Sequence, residues 1–279
     1  QIGWELHHLL RPLAETTALG RLELDITQRQ MVVSVCRKIK PDIVINATGY
    51  NDVDAAETNI KQAISVNVDG NANLAEAARQ TGAFYITYST DYVFDGQKTS
   101  AYTEDDPVAP LNVYGRTKLD GELAIQNSGA NFLIIRTSSV FSLRKPCFLS
   151  NFLKRAQPGA QIRVRTDLIS SPTSAHYLAE TTAQIIATGY NNHPGFLLER
   201  GGLYHLAGLG SASRSEWARE TQQMLQLKVE LEPASSLDFP SSAVRPAFSS
   251  LDSSKFGKTF NVKLASWQKL LEKTLKDPS

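Results

Sequence analysis

The chain has 279 residues, enough for one large domain or two modest ones with a real core. Apolar residues are 42% and charged residues 20% of it, an ordinary globular balance, and a net charge of +1 gives no bulk attraction to nucleic acid or a membrane surface. Cys36 and Cys147 are too few for a disulfide framework and too scattered for zinc, no apolar run is long enough to span a bilayer, and no signal peptide opens the chain, so a cytoplasmic protein is expected.

The opening stretch, Gln1 to Leu10, reads as a helix with Trp4, Leu6, Leu9 and Leu10 on its apolar stripe. A native chain would more plausibly begin with Met and a strand, so a short preceding segment is expected. Thr16 to Leu19 is strand-compatible. Gly20-Arg21 follows, and Thr27 can cap a helix running to Lys40. The β-branched run Pro41 to Ala47 predicts a buried strand ending in the loop Thr48-Gly49-Tyr50-Asn51. Asp54 to Glu57 opens a turn or short helix, in which Asp52, Asp54 and Glu57 complement a helix N-terminus better than they suggest a metal. Ile64 to Gln80 predicts a helix carrying Asn67. Phe84 to Tyr88 predicts a strand leading into Ser89-Thr90, and a polar loop from Asp95 to Pro110 leads to a helix bearing Tyr114. Phe132 to Ile135 predicts a strand ending in Arg136-Thr137-Ser138.

Beyond residue 143 the texture changes. Helices are expected over 151–156, from a Pro172-Thr173 cap to Thr188, over 215–227 and over 265–276. Residues 162–169 read as irregular or strand-like, 202–206 as a strand, and 233–250 as a Pro- and Ser-rich loop. Strands alternating with helices at this spacing predict an α/β fold: a Rossmann-type doubly wound parallel sheet with a smaller C-terminal α/β substrate-binding domain. The expected boundaries are 1–143 for the dinucleotide-binding domain, with 173–200 packing back onto it, and 144–172 with 201–279 for the substrate cap. Ligands bind such folds at the carboxyl ends of the strands. The polar clusters Gly20-Arg21, Ala47 to Asn51, Ser89-Thr90 and Thr137-Ser138 all fall there.

Tyr114 and Lys118 stand four residues apart on one helix and so share a face. Such pairs also occur on plain amphipathic helices. A phenol keeps its proton to about pH 10, and a neighbouring cation lowers that value. The pair is therefore expected to make a proton donor working near neutral pH, completed by the Thr90 hydroxyl. That suits reduction of a ketone, in which hydride reaches carbon and a proton reaches oxygen.

The stretches Tyr88-Ser-Thr-Asp-Tyr-Val-Phe94 and Pro110-Leu-Asn-Val-Tyr-Gly-Arg-Thr-Lys118 carry a specific resemblance. They are joined by Glu23 to Ile26, Pro41 to Ala47, Val53 to Glu57, Arg136 to Ser138, Ser171 to Thr173, Gly202 to His205 and Arg245-Pro246. Together they resemble the extended short-chain dehydrogenase/reductases and, among them, the dTDP-4-dehydrorhamnose reductases, over nearly the whole length. The resemblance implies Tyr114 as the proton donor, Lys118 holding the nicotinamide ribose, and Thr90 hydrogen-bonding the substrate oxygen. That family opens with a strand and a Gly-rich turn, whose last glycine Gly3 matches. Gln1, Ile2 and Gly3 would then line a pyrophosphate. On the same ground Asp25, Ile26, Ala47, Thr48, Gly49, Asn67, Ser89 and Thr137 join the cofactor site, and Asp91, Ser139 and Arg245 the substrate site. Asp91 would face the substrate or fix its own loop.

Relatives often carry Asp where this chain has Gly20. Losing that carboxylate and keeping Arg21 favours a 2′-phosphate, hence NADPH, with NADH as the alternative. Some relatives bind Mg²⁺ at a dimer interface through glutamates. Glu5 matches one, but His176 stands where another would be, so no metal is expected. A nucleotide-sugar substrate is implied, a homodimer is compatible, and neither nucleic acid nor membrane is expected. Two departures fall on the expected sugar pocket: Ser139 where relatives have an aromatic platform, and Leu168 where they have Gln. Tyr92 or Phe141 is the candidate replacement aromatic. These changes leave open a reductase of another keto-sugar. A non-catalytic NADP(H)-binding subunit, like the regulatory subunit of methionine adenosyltransferase, is a third reading.

Overall fold

A computed structural model describes residues 1–192 and 195–277, with backbone only for 190–192. Its centre is a four-stranded parallel sheet. The strands are β1 (Ile43–Asn46), β2 (Phe84–Thr90), β3 (Phe132–Thr137) and β5 (Gly202–His205), in the order β1-β2-β3-β5. Every residue of β2 is buried, as expected of a strand covered on both faces. Its side chains alternate between two cores. Phe84, Ile86 and Tyr88 face one cluster with Leu133, Ile135 and Tyr204. Tyr85 faces the other with Ile134.

The first cluster is closed by α1 (Ile2–Leu10), α6 (Ala175–Asn192), α8 (Ser254–Phe260) and α9 (Trp267–Lys276). The second is closed by α2 (Arg29–Ile39) and α3 (Gly70–Thr81). The doubly wound expectation holds. Beside the sheet, a small parallel pair formed by β4 (Gln161–Arg165) and β6 (Glu230–Ala234) packs against α5 (Phe148–Arg155) and α7 (Arg214–Leu225) through Phe152, Ile162, Val164, Ala218 and Val229. No helix among the described residues is long and apolar enough to cross a membrane.

α4 (Val113–Gln126) starts where the sequence places it. Asn112 caps it by accepting the Gly115 N–H at 2.8 Å, and the Glu57 carboxylate accepts the Val113 N–H at 2.8 Å. Several elements differ from expectation. Thr16 to Leu19 forms no strand, because no neighbouring strand among the described residues pairs with it. Thr27 does not cap α2; its hydroxyl is donated to Asp25 at 2.8 Å. The helix expected from Ile64 begins at Ile60 and is interrupted at Ser65–Asp69 by a π turn. β6 lies partly inside the expected loop, and Pro233 is tolerated there because the strand has a partner on one side only. α8 was hidden by its shortness. Phe256 and Phe260, one turn apart, bury against Tyr204. β5, expected with the cap, is the fourth strand of the central sheet.

Candidate active site

The carboxyl ends of β1, β2 and β3 and the N-terminal half of α4 converge on one crevice. The Asn46 carboxamide folds the exit of β1, accepting the Thr48 N–H at 2.9 Å and the Thr48 hydroxyl at 2.7 Å. It is tied through Asn71 to Tyr85 and Thr87 of β2. Asn67 is fully buried in the π turn. Its Oδ1 accepts the Tyr50 N–H at 2.9 Å, and its Nδ2 donates to the Tyr50 carbonyl at 3.1 Å and to Thr117 Oγ1 at 3.0 Å. The loop carrying Thr48 and Gly49 is thereby clamped to the helix that carries Tyr114. Asn67 spends its amide on this clamp.

Gly3 sits where α1 begins beside the end of β1, and a Cβ there would lie 3.3 Å from the Ala47 Cβ. Gln1 Oε1 is buried without a hydrogen-bond partner, as is Thr137 Oγ1 at the end of β3. Ile26 packs over Gly70, whose missing side chain makes the room. Arg21 is exposed, and its charge together with the Thr27 hydrogen bonds holds the Asp25 carboxyl below its usual value, the hydrogen bonds being the larger cause. The carboxylate absent at position 20 returns in space: Glu23 Oε2 accepts the Gly20 N–H at 2.9 Å.

Thr90 ends β2 and is buried. Its hydroxyl donates to Asp91 Oδ1 at 3.1 Å and is near enough to hydrogen-bond the Tyr114 phenol. The Tyr92 and Tyr114 rings meet edge to face at 5.8 Å. Lys118 Nζ, also buried, donates to the Tyr88 carbonyl at 2.7 Å. Deeper on the same helix face, Glu122 accepts from Arg136 Nη2 at 2.7 Å and from Ser89 Oγ. Ser89 therefore spends its hydroxyl away from the crevice.

The electrostatics correct one expectation. The Tyr114 phenol is raised above its ordinary value, chiefly by burial; Thr90 pulls it down, and the neighbouring charge of Asp91 pushes it up. Lys118 does not acidify it, because its ammonium is turned to the Tyr88 carbonyl and is itself desolvated. Burial lowers the Lys118 pKa to about 8, against the opposing pull of Glu122. Tyr114 is thus a protonated donor at neutral pH rather than an incipient phenolate.

On the substrate side Asp91 is buried. It accepts Ser138 Oγ at 2.7 Å, Ser249 Oγ at 2.6 Å and the Thr90 hydroxyl, and burial pushes its carboxyl up. Its oxygens are taken up under the crevice floor, so it fixes its loop. Ser139 has a left-handed backbone, φ 44°, and its hydroxyl pairs with Ser170 Oγ at 2.7 Å. Phe141 is fully buried against Trp217 at 5.1 Å and cannot replace the missing platform; Tyr92, beside Tyr114, is the aromatic that remains. Arg245 pairs with Asp54 at 2.6 Å, holding that carboxyl well below the usual range. Arg165 and Arg214, which the sequence did not single out, also face this region. Arg214 lies within the capping box of Ser213 and Glu216 at the start of α7, a helix-start signal that the sequence carries. Glu5, expected near a metal site in relatives, is buried and paired with His176 at 3.0 Å.

The RmlD substrate binding domain model matches residues 1–279. A dTDP-4-dehydrorhamnose reductase of Burkholderia thailandensis is 34% identical over 276 residues, covering 96% of this chain and 92% of the relative. One from Escherichia coli is 35% identical over 279 residues, covering 96% and 91%. Among solved structures, the dTDP-4-dehydrorhamnose reductase of Bacillus anthracis in complex with NADP aligns with a TM-score of 0.91 at 29% identity, covering 99% of this chain and 95% of that one. With the fold, the strand-end crevice and a full-length match in agreement, this chain belongs to the family described as the RmlD substrate binding domain.

Proposed function

We propose that this chain reduces the 4-keto group of a nucleotide-activated 6-deoxyhexose, dTDP-4-dehydro-L-rhamnose to dTDP-L-rhamnose, with NADPH. The carrying observation is Tyr114, protonated and half-buried beside Thr90 at the rim of the sheet. The residues present fit a dinucleotide. Gln1 Oε1 and Thr137 Oγ1 are buried polar atoms awaiting a partner, and Gly3 brings a helix start against the end of β1. Lys118 uses one of its three donors on Tyr88, which leaves the others for ribose hydroxyls. Gln1, Ile2, Gly3, Ala47, Thr48 and Gly49 would line the cofactor, with Asn67 and Ser89 holding that wall from behind. Exposed Arg21 would meet the 2′-phosphate, near Asp25 and Ile26. When bound, NADPH supplies the hydride.

The chain's own chemistry is then proton delivery. The Thr90 hydroxyl would turn from Asp91 to the carbonyl oxygen and orient it, Tyr114 would donate its proton to that oxygen, and desolvation keeps the proton in place until the oxygen becomes basic. Residues 1–143 with 173–200 would form the cofactor side, and 144–172 with 201–279 the substrate side, β5 being shared between the sheet and the cap. The test is NADPH oxidation with the dTDP-4-keto sugar for wild type and Tyr114→Phe. A fall of about 10²- to 10⁴-fold with cofactor affinity retained is expected. Turnover that survives the substitution overturns the role of Tyr114. NADPH binding with no turnover on any keto-sugar overturns the enzyme reading in favour of a binding subunit.

A further inference from the structure

Arg214 is a guanidinium held in place with most of its donors unspent. It lies half-buried, seated on two rings, with its central carbon 4.9 Å from the Phe148 centroid and 5.0 Å from that of Trp217. Both rings are themselves packed together, at 5.0 Å, so the seat is rigid. Its hydrogen bond is a long one, Nη2 to Ser139 Oγ at 3.4 Å, and that hydroxyl is already engaged with Ser170. Among the described residues no carboxylate pairs with it. The nearest acid that acts on it, Asp91, is saturated by three hydroxyls.

The surroundings combine attraction with repulsion: Asp91 draws the guanidinium without pairing with it, and Arg165 opposes it. Arg214 is the first residue of α7, where the helix end is itself positive and a cation is disfavoured. Arg165 is close enough to repel it. Arg165 rests over Phe239 at 4.6 Å, its Nε is buried without a hydrogen-bond partner, and it too lacks an ion pair among the described residues. Arg245 repels Arg165 in turn but is neutralised by Asp54. Two partly desolvated guanidinium groups therefore face one region beside Tyr92, and among the described residues neither is in an ion pair, Asp91 and Asp167 acting on them without pairing. A planar fork on an aromatic seat is suited to an oxygen anion met by two donors at once.

We propose that Arg214, with Arg165 behind it, is a specificity-determining residue that holds an oxyanion of the sugar nucleotide and so selects the substrate at the position where Ser139 opens the pocket. This rests on the nucleotide-sugar reading above. For the 6-deoxyhexose the oxyanion is the diphosphate; a carboxylate on the hexose would mean a different keto-sugar as substrate, and the two are separable.

The experiment measures equilibrium binding of dTDP, of thymidine and of a dTDP-hexuronate to wild type, Arg214→Ala and Arg214→Lys, with NADPH affinity as the check of folding. If the diphosphate is read, Arg214→Ala weakens dTDP at least tenfold and leaves thymidine and NADPH unchanged, while Arg214→Lys recovers only part of the loss. If a hexose carboxylate is read, dTDP is unchanged and the hexuronate loses the tenfold. Either result supports the assignment. Affinity for both anions within twofold of wild type in Arg214→Ala, with NADPH binding intact, overturns it. Should Arg214→Ala also lose NADPH binding, Arg165→Ala is measured by the same criteria and decides. These binding results stand apart from turnover, so a failure of the reductase reading appears separately, as wild type that binds dTDP but oxidises no NADPH with any keto-sugar.

Discussion

The ammonium of Lys118 is removed from water and supported by one backbone carbonyl, which places its proton loss near pH 8. Holding a ribose through charge-assisted hydrogen bonds requires the protonated form. Since the pKa is lowered, the charged form is complete well below pH 8 and is lost as pH rises through it. The kcat/KM of the wild type is therefore expected to fall above about pH 8. The negative charge of Glu122 raises the Lys118 pKa. Glu122→Gln should therefore move this limb to lower pH, measured in a preparation that still binds NADPH; an unmoved limb would show that Lys118 does not set it. At this scale the sequence named Tyr114, Lys118 and Thr90 from spacing and motif. It did not reveal that Lys118 turns to Tyr88, because that depends on where β2 runs under α4. Nor did it reveal Arg214, whose meaning lies in the absence of a partner in space.

At the scale of elements, α4 positions the chemistry, and two glycines let it do so. A Cβ on Gly115 would collide with the Tyr92 carbonyl, and one on Gly121 with the Asn67 carbonyl. The helix is thus in backbone contact with both the loop after β2 and the π turn. Gly121→Ala is expected to lower stability by about 1–3 kcal/mol, through overpacking against a backbone that is pinned on its other side. Chemical denaturation reads this, and an unchanged midpoint would mean that the π turn yields. The alternating strand and helix signals were legible because apolar periodicity and β-branched runs are local properties. The π turn, the failure of Thr16 to Leu19 to form a strand and the pairing of Glu230–Ala234 with Gln161–Arg165 were not, since each depends on a partner distant in the chain.

Across the whole molecule, the C-terminal loop is tied back to the sheet side at several points. Arg245 of the C-terminal loop pairs with Asp54 of the loop region after β1, and Asp54 also accepts the Ala243 N–H at 3.1 Å and the Ser241 hydroxyl at 2.9 Å. Nearby, Asn112 Nδ2 donates to the Val244 carbonyl at 2.7 Å, so the cap of α4 is fastened to the same loop. Asp54→Ala should free this loop. Because Asp54 is partly exposed, the cost in thermal stability is expected to be small, roughly within 1 kcal/mol. The KM for the sugar nucleotide should rise several-fold with little change in kcat. Hydrogen exchange across residues 238–246 would report the loosening directly; exchange rates equal to wild type would mean that the clamp does not restrain the loop.

By itself the sequence determined the α/β class, the order of the main elements and Tyr114, Thr90 and Lys118 as the candidate proton donor and its neighbours, because periodicity, turn chemistry and motif spacing act over a few residues. The tertiary structure alone decided which charges are compensated. Burial raised the Tyr114 phenol where a nearby lysine had been expected to lower it, Asp91 went to three hydroxyls, and Arg245 went to Asp54. Desolvation and ion pairing depend on groups up to 191 positions apart along the chain, which meet only when the two halves close over the sheet.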